Sequence, residues 1–248
     1  MKYISSVHHD DVKHIVSLQN RSYRYEHHQF VAHGTRTCQA LIEHYQPVTI
    51  YMTEDYYQSH SFTAYDAYIV GVSDRVMEKI SGTTTPSGVC ILFTIPEKHS
   101  LPKQGPGIVL MNIQDPGNMG TLIRSAAAMN INHVIIVDGV DPYNSKVIQS
   151  TAGCLQTVTI YQTSIEKLEE QNLNLCGLIV KNGKNPDTID LSNTFLVVGN
   201  EAHGLSNEQI KLCTTTMTIP MPGNTESLNA AVAGSIGLYI MAQKNSKK

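Results

Sequence analysis

Three short stretches of this 248-residue chain set polar side chains among glycines and prolines in ways that could support chemistry. In residues 219–233, Ile-Pro-Met-Pro-Gly-Asn-Thr-Glu-Ser-Leu-Asn-Ala-Ala-Val-Ala, Pro220, Pro222 and Gly223 break regular structure and free backbone amides and carbonyls from any ladder. Glu226, Ser227 and Asn229 then fall at the expected start of a helix rich in small residues, where backbone N–H groups lack partners. That arrangement suits a ligand needing backbone and side-chain contacts together; it suits an ordinary capped turn equally well. In residues 112–128, the loop Asp115-Pro-Gly-Asn-Met-Gly120 follows an apolar strand and opens a helix on which Arg124 precedes Ser125 and three alanines. Small residues admit a close neighbour, so Arg124 reads as more than a solvated charge, or else as the ion-pair partner of an acid such as Glu201. In residues 195–206, Phe-Leu-Val-Val-Gly-Asn-Glu-Ala-His-Gly-Leu-Ser, Gly199 ends an apolar strand and Gly204 follows, with Glu201 between them. These glycines permit close backbone approach or positive φ, or simply turn the chain.

A dinucleotide site is one chemistry the Asp115 loop would offer, because Asp138 ends the next strand 18 residues after Gly120 and could hold a ribose. The loop has only Gly117 and Gly120, however, and lacks the G-x-G-x-x-G spacing. Pro116 also biases Asp115 toward an extended backbone. A nicotinamide enzyme is therefore disfavoured.

In order and content, residues 112–128, 195–206 and 219–233 resemble the three motifs of the SpoU (TrmH-type) RNA methyltransferases of the SPOUT superfamily, a likeness covering about residues 105–248. The resemblance implies S-adenosylmethionine as cofactor, no metal, and methyl transfer to a ribose 2′-hydroxyl. It implies an α/β fold whose C-terminal parallel-sheet domain carries a deep trefoil knot and pairs as a homodimer. Carried over residue by residue, Arg124 and Asn118 become the leading catalytic candidates, Asn118 holding the ribose-phosphate, with Glu201, Ser227 and Asn229 completing a polar wall. Gly199, Ile219 and Leu228, with Gly204 and Met221, become the cofactor-binding candidates; His203 is not carried over. Ala230 stands where the family usually has valine, a packing change that leaves the chemistry untouched. Family accounts often make the arginine a general base, but a guanidinium in a protein stays protonated. A phosphate clamp and alkoxide stabiliser is the better physical role.

The elements that must hold these residues follow from pattern. Apolar runs at 108–112, 133–137, 156–160, 176–180, 195–198 and 216–219 alternate with helical or loop segments, which predicts a buried parallel sheet covered on both faces. The region 98–106, rich in proline and glycine, reads as a linker between residues 1–97 and 107–248. Nine of twelve tyrosines lie before residue 70 and nine of eleven histidines before residue 100, so the two halves differ in composition. In the first half, Val12, Ile15, Val16 and Leu18 predict one helix, Cys38, Leu41, Ile42 and Tyr45 another, and Ser73 caps a third; strands are expected at 48–53, 67–72 and 88–95. This small α/β sandwich resembles the ribosomal-protein-like substrate-binding domain that often precedes the SpoU domain, through Arg21, Arg24, Phe30, Val31, Gly34 and Arg36. Arg21, Arg24 and Arg36 are the RNA-binding candidates, provided they share a face.

Composition bounds the rest. A hydrophobic content of 41% with 16% charged residues describes a globular chain. Five cysteines without a C-x-x-C pair point to reduced thiols and a cytoplasmic location rather than a disulfide framework or zinc site. The first ten residues carry no apolar run of a secretory leader, and residues 230–242 are too short to span a bilayer. A net charge of −3 counts against general nucleic-acid binding, so RNA contacts require a local basic patch. The expected substrate is structured RNA, ribosomal RNA ahead of transfer RNA; the rival readings are a tRNA 2′-O-methyltransferase or a non-catalytic RNA-binding or assembly protein that retains the fold.

Overall fold

The chain enters on a short strand, β1 (Lys2–Ile4), and turns into α1 (Asp10–Ser17), whose Val12 and Ile15 are buried and whose two leading acids suit a helix N-terminus. There follow α2 (Arg21–His27), β2 (Gln29–His33), α3 (Thr35–Ile42), β3 (Pro47–Met52), α4 (Glu54–Ser59), β4 (Ile69–Val72), α5 (Asp74–Ser81) and β5 (Val89–Thr94). The five strands form one mixed sheet in the order β1-β4-β3-β5-β2, with β5 antiparallel to both of its neighbours. Ser73 caps α5 by accepting from the Val76 amide, and Val76, Met77 and Ile80 pack beneath it with Val12 and Ile15. Neither α2 nor β2 is expected from periodicity; both are short, and β2 is nearly continuous in apolar character. Tyr45 lies beyond the end of α3 rather than on it.

The computed structural model describes residues 2–60, 62–223 and 225–245; Asn224 of the 219–233 motif lies outside them. The second half runs β6 (Gly107–Met111), α6 (Pro116–Ala128), β7 (His133–Val137), α7 (Ser145–Ser150), β8 (Thr159–Thr163), α8 (Ile165–Glu169), β9 (Leu175–Leu178), β10 (Phe195–Val198), α9 (Asn207–Lys211), β11 (Thr215–Met217) and α10 (Ala230–Asn245). Six strands form a wholly parallel sheet in the order β11-β9-β10-β6-β7-β8. Every residue of β6 and β10 is buried, which is why these strands read as unbroken apolar runs. The strand expected at 156–160 begins at Thr159 instead, because the pairing that closes the sheet matches His133–Val137 with Thr159–Thr163. Among the described residues no helix is long and apolar enough to cross a membrane.

The chain divides into two compact units, Met1–Glu97 with Tyr143–Gln156 and Lys98–Pro142 with Thr157–Lys248. Residues 143–156 thus leave the half in which 107–248 was expected to stay together. The reason is packing. Tyr143 lies with its ring 5.2 Å from that of Phe30, and the Gln149 side-chain amide donates to the His33 carbonyl. The expected linker is also fixed rather than free, since the Gly105 amide donates to the Asn193 side chain at 2.7 Å within the second unit.

Candidate active site

The site is built where strands end. The chain leaves β6 at Asn112, which takes a left-handed conformation (φ 57°) that asparagine tolerates better than most residues. Its side-chain oxygen accepts from Gln209 at 2.7 Å and its carbonyl from Asn200 at 3.0 Å. Asp115 then caps α6, accepting from the Asn118 amide at 2.8 Å, with Pro116 in the first turn where no amide donor is needed.

Glu201 is the anchor of the loop that follows β10. Its carboxylate accepts from the Gln114 and Asp115 amides (3.2 and 2.9 Å), from Asn118 Nδ2 at 3.2 Å, and from Asn200. Burial pushes its pKa upward, but the Asp115 amide and the other donors outweigh burial and hold the carboxyl below its ordinary 4.5. Asn118 in turn accepts at Oδ1 from Asn229 Nδ2 at 3.1 Å. Asn229 accepts at Oδ1 from the Ala231 and Val232 amides, capping α10. The orientation of each amide follows from the ends of this chain. A carboxylate can only accept, and backbone N–H groups can only donate, so Asn118 and Asn229 have one consistent arrangement each. One hydrogen-bonded series, Glu201–Asn118–Asn229, therefore ties the three sequence motifs together. The helix itself begins at Ala230; Glu226 and Ser227, expected at its start, lie in the exposed loop before it, because proline and glycine hold residues 220–223 out of helix.

Beside this series, the carboxyl ends of β9, β10 and β11 open onto a cleft of about 220 Å3. Gly199, Gly204, Ile219, Met221 and Leu228 line it, together with Glu201 and Ser227. Carboxyl ends of parallel strands are the usual ligand position in open α/β sheets. Gly199 has to be glycine: a Cβ there would lie 2.4 Å from the Gly204 carbonyl carbon, and Gly204 itself has φ +66°. Leu178 at the end of β9, with Ile179 and Val180 after it, adds an apolar wall that carries no motif signal, and His203 also lines the cleft. Val180 and Leu228 remain 45% and 36% exposed at its edge. Aliphatic side chains with a few polar groups among them are the usual lining of a small-molecule pocket.

Arg124 does not line the cleft. It lies on α6 six residues beyond Asn118, roughly 9 Å along the axis, exposed and without an ion pair or hydrogen bond among the described residues. The ion pair with Glu201 does not form, because that carboxylate is occupied by the groups named above. Ser125, the next residue, bonds Ser235 of α10 at 2.7 Å. Of the three RNA-binding candidates, Arg24 is corrected: it is 2% exposed, and its guanidinium donates to the Leu18 and Gln19 carbonyls, which close the end of α1. Arg21 is exposed, 5.9 Å above the Tyr25 ring, and Arg36 is exposed on α3. The three do not form one cationic face. Among the described residues no three His, Cys, Asp or Glu side chains converge as for a metal.

Comparison with known proteins gives this architecture a context. Residues 106–239 match the SpoU rRNA Methylase family, and residues 9–90 match the MRM3-like substrate binding domain. A Synechocystis protein described as an uncharacterized tRNA/rRNA methyltransferase is 33% identical over 177 residues, 68% of this chain and 65% of that protein, so the match spans just under two thirds of that relative. The 23S rRNA (guanosine(2553)-2′-O)-methyltransferase RlmP of Bacillus subtilis is 26% identical over 245 residues, 96% of this chain and 98% of that protein. The structure of an AdoMet-bound rRNA methyltransferase from Sinorhizobium meliloti is similar at a TM-score of 0.86 and 25% identity, over 98% of this chain and 97% of that one.

Proposed function

The chain belongs to the SpoU rRNA methylase family, and from that membership we propose that it methylates a ribose 2′-hydroxyl of ribosomal RNA in the cytoplasm, as a homodimer with a trefoil-knotted C-terminal domain. The observation that carries the reading is the Glu201–Asn118–Asn229 series set beside a cleft lined by Gly199, Ile219 and Leu228. The full-length likeness to a 23S rRNA enzyme supports ribosomal over transfer RNA.

S-adenosylmethionine, when bound, supplies an electrophilic methyl group on a sulfonium. The cleft fits its adenosine part: Ile219, Met221 and Leu228 offer apolar surface, and Gly199 and Gly204 leave backbone groups accessible. Asn118 is held by its two partners with one amide hydrogen and one oxygen lone pair left over, enough to orient a ribose hydroxyl. Arg124, with no partner among the described residues, is available to fork onto a phosphate and to stabilise the alkoxide as it develops. Glu201 is an anchor, not a base, since its lone pairs are taken and its proton affinity is lowered.

Two measurements test this reading. Calorimetry on the full chain should show S-adenosylmethionine binding that survives chelator. Ribose-methylation maps of total RNA, with and without the gene, should differ at a site in ribosomal RNA. No cofactor binding, or a difference confined to transfer RNA, contradicts it.

A further inference from the structure

With a net charge of −3, this chain must meet RNA through local positive charge, and Arg24 is spent on internal carbonyls. The first unit carries such a place away from the three arginines singled out by sequence. A groove of about 720 Å3 runs between α1 and α5, lined by Lys13, Arg75 and Lys79 around an apolar set of Val7, Val12 and Val16. Among the described residues, Glu78 is the one carboxylate lining it. Lys13 is partly neutralised by Asp10 at 2.9 Å, whereas Arg75 and Lys79 make no ion pair among the described residues.

The groove ends at the loop after α5, and Gly82 and Thr83 of that loop also line a second groove of about 560 Å3. This second groove differs in chemistry. Gln19, Asn144, Gln149 and Ser150 line it with Lys146; Asn144, Gln149 and Ser150 each make one hydrogen bond within the unit and keep further donor or acceptor capacity. Half of its wall comes from α7 and its flanks, the excursion that the second half of the sequence contributes to the first unit. Both volumes lie within the ~300–1,000 Å3 typical of sites that enclose a small organic group.

The geometry points to one track for an unpaired stretch of the RNA substrate, with phosphates over Arg75 and Lys79 and bases and riboses against the amides of the α7 groove. This rests on the RNA reading above. Cations over aliphatic surface suit a backbone with exposed base faces, and side-chain amides and hydroxyls suit Watson–Crick edges and 2′-hydroxyls. A duplex would offer the second groove only sugar and phosphate edges, which its amides do not select. Residues 143–156 then have a purpose in the first unit: they build the half of the track that reads bases.

The test uses the full-length chain and a mixed-sequence single-stranded RNA 12-mer, with the same sequence as a duplex and polyglutamate as competitors. Arg75→Ala with Lys79→Ala should lower the slope of log affinity against log salt by about 1.4, from ~0.7 per single-strand phosphate. Arg75→Lys with Lys79→Arg should restore it. Gln19→Ala with Lys146→Ala should reduce the preference for single strand over duplex severalfold. S-adenosylmethionine affinity should be unchanged in all three, which separates failure of this inference from failure of the methyltransferase reading. An unaltered salt slope in the alanine pair, equal binding of duplex and single strand by the wild type, or displacement by polyglutamate as effective as by RNA would each overturn the track.

Discussion

At the scale of single residues, Arg124 and Glu201 divide the work between charge that is free and charge that is fixed. Arg124 has no partner among the described residues, so its loss should cost chemistry rather than stability. Arg124→Lys keeps the charge but loses the planar fork and should retain part of the activity; Arg124→Ala should abolish turnover with cofactor binding intact, since the side chain is outside the cleft. Single-turnover methyl transfer against pH decides the role, because a Lys variant whose rate climbs with the lysine's own titration would mean that the residue acts as a base. Glu201 belongs to the opposite class. Its pKa is lowered in the folded state, so its stabilising contribution is present above the ordinary value of 4.5 and is lost as pH falls through the lowered one. Thermal melting across that acid range should show a decline in the wild type that is smaller in Glu201→Gln. Equal declines would mean that the bonds to Asp115, Asn118 and Gln114 carry no linkage.

At the scale of elements, the close approaches are backbone matters and should be unforgiving. Gly199→Ala places a methyl group 2.4–2.6 Å from the Gly204 and Leu205 backbone, which cannot swing away as a side chain would. Overpacking of this kind costs about 1–3 kcal/mol, and it should weaken cofactor binding by displacing the loop that carries Glu201. Gly223→Ala, with nothing within 4 Å, is the matched control and should be close to neutral by denaturant titration and calorimetry alike. The same contrast explains what the sequence allowed to be read. Aspartate, proline and glycine at fixed short spacing mark Asp115–Gly120 as a capped helix start and Gly199–Gly204 as a turn whatever the surroundings, and unbroken apolar runs mark β6 and β10 as buried. Long-range choices leave no such mark. Val147 and Ile148 give α7 an apolar face, but nothing local says that the face is buried in the first unit. Arg24 looks like any surface arginine until the carbonyls of Leu18 and Gln19 close on it. The small residues of α10 permit close packing, but nothing local says against what. In the fold, Gly234 sits against Leu122 and Val198 and Gly237 against Leu196, and Leu238 and Met241 are fully buried within the same unit.

At the scale of the whole molecule, this packing limits what α10 can offer to a second copy of the chain. What α10 leaves outward is Val232, 48% exposed, and Tyr239, 52% exposed, about two turns apart along the helix. Seven residues apart, they share one face of the helix, the surface proposed for pairing. Sedimentation at micromolar concentration should give a dimer that Val232→Asp with Tyr239→Asp dissociates; a wild-type monomer would contradict the homodimer. The central claim is the reaction itself, and the most direct measurement follows one methyl group to its destination. Protein-free ribosomal RNA is incubated with the full chain and methyl-labelled S-adenosylmethionine, then digested to nucleosides and separated. The account predicts label in a single 2′-O-methyl nucleoside, transferred by the wild type and not by Arg124→Ala. Label on a base, or no transfer by a protein that binds both S-adenosylmethionine and RNA, would contradict it.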